Sequence, residues 1–145
     1  MKLNNIKNKN EFDYWTELNT RWIDMDSIGH VNHVSYLSYL ETARVDYFSY
    51  LGLPEIHKSI NNSVILASLE VSYIRQISHP SKLNIGHRVF RVGVKSFDLL
   101  SGIFLKDKKN PICIAILKMV SFNYKTNKSI KVPREIHRNN RTMAI

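Results

Sequence analysis

The chain lacks several sequence features that identify a class of protein directly, namely multiple cysteines, long apolar runs and an apolar N-terminal segment. A single cysteine, Cys113, among 145 residues excludes an internal disulfide framework and lies in an apolar run typical of a buried thiol. No stretch approaches the roughly 20 apolar residues that span a bilayer, so no membrane span is expected. Residues 1–10 are polar and charged without an apolar segment, which predicts no secretory signal. Together these features predict a cytoplasmic protein.

Motifs for several common kinds of active site are also missing. The sequence has no P-loop, no G-x-G-x-x-G and no G-x-S-x-G elbow. His30 and His33 lack the His-Glu-x-x-His spacing, and no cluster of cysteine, histidine or acid completes a ligand set, so no metal site is predicted. No dedicated cofactor is expected either.

Acidic residues are fewer than basic ones, which gives a formal net charge of +9. Such a charge fits an anionic ligand or partner, namely coenzyme A phosphates, an acidic acyl carrier protein or nucleic acid. Much of the charge lies near the two ends of the chain, and no nucleic-acid recognition motif is present. Nucleic acid is therefore not a predicted partner.

The length and the 43% hydrophobic content predict one packed domain. The domain is expected to cover 11–133. Residues 1–10 are expected to form a disordered arm, and 134–145 a basic tail.

The segment after Asn32 has the spacing of a long helix. Apolar side chains recur there at intervals of three and four, at Tyr36, Leu40, Ala43, Tyr47 and Leu51. Asn32 suits the N-cap and Gly52 the C′ position, and Pro54 prevents continuation. The pattern predicts about 19 helical residues, spanning roughly 28 Å.

The remainder alternates with period two. One strand is predicted from Phe12 to about Asp24. After a polar linker at 58–62, further strands are predicted to about Tyr124, including one run from Leu83 to about Phe97. The last strand is apolar on both faces, which predicts that both are covered, one by the helix and the other by a second subunit. One helix on an antiparallel sheet is an α+β arrangement.

Between the first strand and the helix the sequence places two acids, a glycine turn and a His/Asn pair. Asp26 therefore lies close to a helix N-terminus, which offers unpaired N–H donors and a partial positive charge. A carboxylate beside such donors suits attack on, or hydration of, a polarised carbonyl. The alternative is that Asp26 only caps the turn.

The order Asp-x-Asp-x-x-Gly-His-Val-Asn, then a tyrosine and Glu-x-Ala-Arg, over Asp24 to Arg44, resembles the 4-hydroxybenzoyl-CoA thioesterase-like acyl-CoA thioesterases. The resemblance continues more loosely to about Pro133. It implies the hotdog fold, an antiparallel sheet wrapped around one long central helix. It also implies a homodimer or a dimer of dimers with active sites at the subunit interface.

The resemblance implies roles for three residues of the motif. Asp26 matches the family's catalytic carboxylate, as nucleophile or as general base. The backbone N–H of His33 matches the oxyanion donor, although the family often has asparagine there. His30 either orients Asp26 or contacts the thioester, or is a turn histidine bonded to backbone.

Substrate contacts are expected at a further set of residues: Gly29, Asn32, Tyr36, Arg88, Lys95, Ser96 and Phe97. Lys95, Ser96 and Phe97 resemble the segment beside the pantetheine arm, and basic side chains such as Arg88 would hold phosphates. Alternative roles are a turn for Gly29, an N-cap for Asn32, core packing for Tyr36 and solvated charge for the basic residues. Glu41 and Arg44 are expected to form an ion pair on the helix.

The predicted function is hydrolysis of an acyl-CoA to free acid and coenzyme A. One alternative is another hotdog enzyme, such as an acyl carrier protein thioesterase of lipid or polyketide metabolism. A second alternative is a non-catalytic acyl-binding module, which would have no need for Asp26.

Overall fold

The computed structural model describes residues 3–53 and 60–143. Pro54 and the first part of the predicted linker at 58–62 lie outside the described residues. In chain order the helices and strands are β1 (Tyr14–Asn19), α1 (His33–Tyr50), β2 (Ser63–Tyr73), β3 (Lys82–Val92), β4 (Ser96–Leu105), β5 (Pro111–Asn123), β6 (Lys128–Ser129) and α2 (Arg134–Arg138).

The strands form one antiparallel sheet in the order β1-β3-β4-β5-β2, with β6 beside β5. α1 packs across one face of this sheet, against β1, β3 and β4. The predicted hotdog architecture, with an antiparallel sheet around a single long helix, is confirmed. β2 lies at one edge of the sheet.

The sequence predicted the limits of α1 well because both are set by local chemistry. The Asn32 side chain accepts a hydrogen bond from the Val34 N–H at 2.9 Å, as expected of an N-cap. After 18 helical residues, Gly52 adopts a φ of +88°, which glycine tolerates best. The opposite face of α1 is less polar than an amphipathic pattern implies, since Val45 and Tyr50 are exposed.

Two predicted strands were too long. β1 ends at Asn19, and Trp22–Asp24 form a single 3-10 turn because the Asp24 carboxylate accepts from the Arg21 backbone N–H at 2.9 Å. The run predicted from Leu83 to about Phe97 is interrupted at residues 93–95, where the chain turns between β3 and β4. The turn is not apparent from the alternation of apolar residues, because the residues on its two sides continue the same period-two pattern.

The face of the sheet away from α1 is covered by the N-terminal arm. Leu3, Ile6 and Phe12 are buried there in one cluster with Phe104 and Ile114. β5 is covered on this second face as predicted, and within the chain the arm supplies the cover at Ile114. Residues 3–10 were expected to be disordered, but Leu3 and Ile6 pack against the sheet. The asparagines and lysines of this segment dominate its composition, so its few apolar anchors are not apparent from the sequence.

The C-terminal segment is also packed. Ile136 in α2 is completely buried within the core on the α1 side, and Met143 is buried with the arm on the other face. The tail predicted at 134–145 therefore differs from the structure over residues 134–143. Its basic side chains alternate with apolar residues that anchor it.

Replacing Gly102 with alanine is expected to destabilise the fold by displacing the arm. A Cβ at this position would lie 2.5 Å from the Phe12 ring and 3.0 Å from Ile114, so one of these side chains has to move. Overpacking of this kind costs about 1–3 kcal/mol. Urea unfolding measures the loss of stability, and limited proteolysis of residues 3–12 measures release of the arm.

The matched control is the double variant Gly102→Ala/Phe12→Ala, in which the colliding ring is gone. The cost of Gly102→Ala should then largely disappear. An unchanged unfolding midpoint and an unchanged proteolysis rate in the single variant would contradict this packing of the arm.

Candidate active site

A closed turn presents Asp26 immediately before α1. Met25 and Val31 pair as an antiparallel bridge, and the Asp26 N–H donates to the His30 carbonyl at 2.8 Å. Gly29, with a φ of +88°, supplies the left-handed residue that such a turn requires. The sequence therefore predicted the turn correctly, and its glycine has a backbone reason to be there.

The Asp26 carboxylate is held by the turn through one oxygen. Its Oδ1 accepts from the N–H of Ile28 at 2.8 Å and from the N–H of His30 at 3.2 Å. These bonds, that from Ile28 foremost, hold the pKa of Asp26 below its ordinary value, so the side chain is ionised at neutral pH. Within the described residues no hydrogen bond involves Oδ2, which leaves that oxygen for a water molecule or a substrate.

Asp24, the other acid of the motif, is used structurally. Its side chain is 2% exposed and accepts from the Arg21 guanidinium at 2.9 Å and from the Tyr39 hydroxyl at 2.6 Å. Its carbonyl accepts the Asn32 N–H at 2.8 Å, which joins the start of α1 to the turn. Asp24 therefore shapes the turn that precedes α1.

Asp24→Asn is expected to lower stability by about 1–3 kcal/mol, because buried donors lose their acceptors. Burial by itself would raise the pKa of Asp24, but hydrogen bonds from Arg21 and Tyr39 outweigh it and the pKa is lowered. A depressed folded-state pKa means that this stability is present above the ordinary value of 3.8 and is lost as the pH falls through the folded value. Urea unfolding between pH 7 and pH 3 measures the effect, and the gap between variant and parent should narrow in acid. A constant gap over that range would contradict the assignment.

The start of α1 provides the candidate oxyanion donor. The Val34 N–H is taken by the Asn32 side chain and the Ser35 N–H by the Asn32 carbonyl. Among the described residues, no hydrogen bond takes the N–H of His33, the first helical residue. His33 is itself exposed, and its ring lies edge-on to Tyr73 with centroids 6.0 Å apart. An uncommitted N–H at a helix N-terminus suits a developing negative charge.

His30 supports the Asp26 turn through its backbone, and Tyr36 packs in the core beside it. His30 contacts Asp26 through its backbone N–H and carbonyl, so its orienting effect requires no imidazole. Tyr36 is 4% exposed and donates its hydroxyl to the Arg75 carbonyl at 3.2 Å. Tyr36 is a core residue beside the site, as its alternative interpretation held.

Arg88 does not belong to this site. Its side chain is 3% exposed and pairs with Glu11 at 2.9 Å, and it donates to the carbonyls of Arg141 and Thr142 at 2.7 Å. It ties both ends of the chain to β3. The prediction that Arg88 holds substrate phosphates is therefore wrong for this chain, because its donors are already satisfied.

The segment at 95–97 lies far from Asp26 within one subunit. Phe97 is completely buried and packs edge-on against Phe48 at 6.0 Å, so its side chain cannot line a ligand site. The Ser96 hydroxyl accepts from the Arg91 guanidinium at 3.1 Å, and Lys95 is exposed in the turn between β3 and β4. The Asp26 turn adjoins the other end of β3, roughly 30 Å away along an 11-residue strand.

One segment that supports the site was not predicted from the sequence. The Ser78 hydroxyl donates to the Gly29 carbonyl at 2.8 Å, and the Ile77 carbonyl accepts the Val31 N–H at 2.8 Å. The second half of the Asp26 turn is thereby held from a loop about fifty positions later in the chain. Pro80 predicts a turn in this loop, but it does not predict that the loop packs against the Asp26 turn.

The fold is similar to those of several proteins of known structure. The structure is similar to a protein of Pseudomonas aeruginosa with a TM-score of 0.83, at 22% identity over 91% of this chain and 92% of that one. A second Pseudomonas aeruginosa protein gives a TM-score of 0.79 at 27% identity, over 86% and 95% of the two chains. A Thermus thermophilus thioesterase, crystallised with coenzyme A and zinc, gives 0.76 at 23% identity over 88% and 97%. No curated protein sequence matches this chain.

Within residues 3–53 and 60–143, no helix is long and apolar enough to cross a bilayer. In the same residues, no group of three or more histidine, cysteine or acidic side chains is placed to hold a metal ion. The family model that matches the sequence covers residues 20–139 and includes the Asp26 turn, α1 and the strands β2 to β6, but not β1. The chain therefore belongs to the thioesterase-like superfamily.

Proposed function

We propose that this chain hydrolyses acyl-CoA thioesters, as the 4-hydroxybenzoyl-CoA thioesterase-like enzymes do. One observation carries the proposal: an ionised Asp26 carboxylate with an uncommitted oxygen precedes a helix whose first N–H, that of His33, is also uncommitted. Coenzyme A bound to a thioesterase of the same fold supports the choice of thioester.

The reaction needs a nucleophile, a stabilised oxyanion and a leaving thiol. In one route, Asp26 takes a proton from a water molecule whose oxygen attacks the thioester carbonyl. The tetrahedral oxyanion accepts the His33 N–H, and its collapse breaks the C–S bond and releases the thiolate, which takes up the proton. In the other route, Asp26 attacks directly, expels the thiolate and forms a mixed anhydride that water then cleaves.

The second part of the proposal is a homodimer, alone or paired into a tetramer, built through β2. β2 is an edge strand of 11 residues, and its exposed apolar side chains include Leu66, Leu69 and Tyr73. A long apolar strand with an open edge is otherwise a site of unwanted pairing. Antiparallel pairing of β2 with its copy would satisfy the edge and bury these side chains.

Thiol release from short, long and aromatic acyl-CoAs tests the proposed function. Hydrolysis of at least one CoA thioester is the expected result. The net charge of +9 favours one rival, a thioesterase for acidic acyl carrier proteins, so acylated carrier protein is assayed in parallel. Release from the carrier thioester alone would favour that rival, and binding without release from either would favour an acyl-binding module.

A further inference from the structure

A second feature of the molecule lies at the far end of α1 from Asp26. There, α1, β2, β5 and the segment before α2 line a partly open cavity of about 280 Å³. Its walls are largely apolar, with Val45, Phe48, Val64 and Ile130 among the lining residues. This volume is just below the usual range of about 300–1,000 Å³ for small-molecule pockets.

Two hydroxyl groups of the lining residues, those of Ser121 and Ser63, have no hydrogen-bond partner among the described residues. The Ser121 hydroxyl is buried, with the residue 1% exposed, and no hydrogen bond reaches it from the described residues. Ser121 lies directly opposite Val64 in the β2–β5 ladder, so both side chains point to the same face of the sheet. Val64 packs against the core on the α1 side, and Ser121 therefore faces α1 and the cavity.

Ser63 provides a contrast at the same place. Its hydroxyl is also buried and without a partner among the described residues. It lies opposite Phe122, one position out of phase with Ser121, so its side chain points to the other face of the sheet. A buried, unpaired hydroxyl costs free energy that a ligand oxygen can recover. Both serines border the cavity, but by strand register the Ser121 side chain lies on the sheet face toward α1 and the Ser63 side chain on the opposite face.

The proposed dimer would bring this cavity to the thioester. Within one subunit α1 and β2 run in opposite directions: the start of α1 contacts Tyr73 at the end of β2, where the Tyr73 hydroxyl donates to the His33 carbonyl. The cavity adjoins Val64 at the start of β2. A two-fold axis through the middle of β2 places the start of one β2 beside the end of the other, with the strands about 4.8 Å apart.

Building on the proposed function, we infer that the acyl group bound at one subunit's Asp26 extends into the cavity of the other subunit, where the partner subunit's Ser121 binds an oxygen at its far end. The substrate class is then acyl groups of moderate size that carry a hydroxyl or carbonyl oxygen distant from the thioester. A plain hydrocarbon chain leaves the Ser121 hydroxyl unpaired, and a long chain exceeds the cavity.

Matched thioesters test the role of Ser121. Medium-chain acyl-CoAs are compared with and without a terminal hydroxyl, and kcat/KM is measured for each. The unmodified enzyme should prefer the hydroxylated member by up to about tenfold, the value of one hydrogen bond, and Ser121→Ala should abolish the preference. Ser63→Ala, the matched control on the other face, should retain it. No preference in the parent enzyme, or one that survives Ser121→Ala, would overturn the inference.

Mixed dimers test which subunit's cavity is used. One chain carries Asp26→Asn with an open cavity, and the other carries Val45→Trp, which fills the cavity from a half-exposed position. Both homodimers should be inactive, whereas mixed dimers purified through two different tags should regain about half the activity, since one of two sites is complete. Inactive mixed dimers, or an active Val45→Trp homodimer, would overturn the inference.

A binding measurement separates this inference from the proposed function. Calorimetry of the Asp26→Asn protein with the same matched acyl-CoAs reports the preference without hydrolysis. If no thioester is hydrolysed but Ser121→Ala still removes a binding preference, the proposed function fails and the cavity assignment stands. If hydrolysis occurs and the binding preference is absent, the cavity assignment fails alone.

Discussion

Asp26→Asn is expected to lower kcat/KM for acyl-CoA hydrolysis by about 10²–10⁴-fold, the usual contribution of a catalytic acid or base. Asparagine keeps an oxygen that can accept from the Ile28 and His30 N–H groups, so the turn should remain folded. What is lost is the negative charge and the basic, nucleophilic Oδ2. Steady-state thiol release measures the effect, and circular dichroism confirms that the fold is retained.

Asp24→Asn is the matched control because it removes the other carboxylate of the motif. It should lower the free energy of unfolding while leaving most of the kcat/KM of the molecules that stay folded. Equal losses of kcat/KM in the two variants at a temperature where both are folded would contradict the assignment. The same conclusion would follow from an Asp26→Asn protein with full activity.

The Asp26 assignment also fixes the sign of one pH effect. Hydrogen bonds from Ile28 and then His30 keep the pKa of Asp26 below the ordinary 3.8. The catalytically competent carboxylate therefore persists as the pH falls, and the midpoint of any loss of kcat/KM due to Asp26 itself lies below the ordinary pKa of 3.8.

Leu69→Lys is expected to break the proposed dimer and the activity that depends on it. Leu69 is 37% exposed in the single chain, so one subunit can hold a lysine there, but pairing of β2 with its copy would bury two unpaired charges. Dimer affinity should fall by about a hundredfold or more. Sedimentation over a concentration series measures the dissociation, and thiol release at the same concentrations should follow the dimer fraction.

Val94→Lys adds the same charge at another exposed apolar residue, 72% exposed in the turn between β3 and β4. It should remain dimeric and active. A Leu69→Lys protein that stays dimeric and fully active would exclude β2 as the interface. A protein that becomes monomeric yet keeps its activity would show that each subunit works alone.

The predictions from sequence succeeded where the physical cause is local. The cap at Asn32, the turn at Gly29 and the ordered acids all depend on hydrogen bonds between residues a few positions apart. The spacing of apolar residues along α1 is also a short-range property, which a period of three to four records directly.

The errors have a common origin in contacts between distant parts of the chain. Arg88 and Phe97 were predicted to contact the substrate from their residue type and the family pattern. In the structure, Arg88 pairs with Glu11, and Phe97 is buried against Phe48. The arm was expected to be disordered because its overall composition is polar and charged, and the few apolar residues such as Leu3 do not change that average. None of these partners is near in sequence, so no local pattern records them.

The sequence by itself determined the α+β class, the long capped helix and the Asp26 turn that introduces it, because each follows from short-range hydrogen bonding and periodicity. Only the tertiary structure decided that Asp24 is structural while Asp26 keeps an uncommitted oxygen, that Arg88 ties down both ends, and that Ser121 faces a cavity. The physical reason is that a side chain's role depends on which donors, acceptors and apolar surfaces surround it. Those surroundings come from strands and loops far apart in the chain.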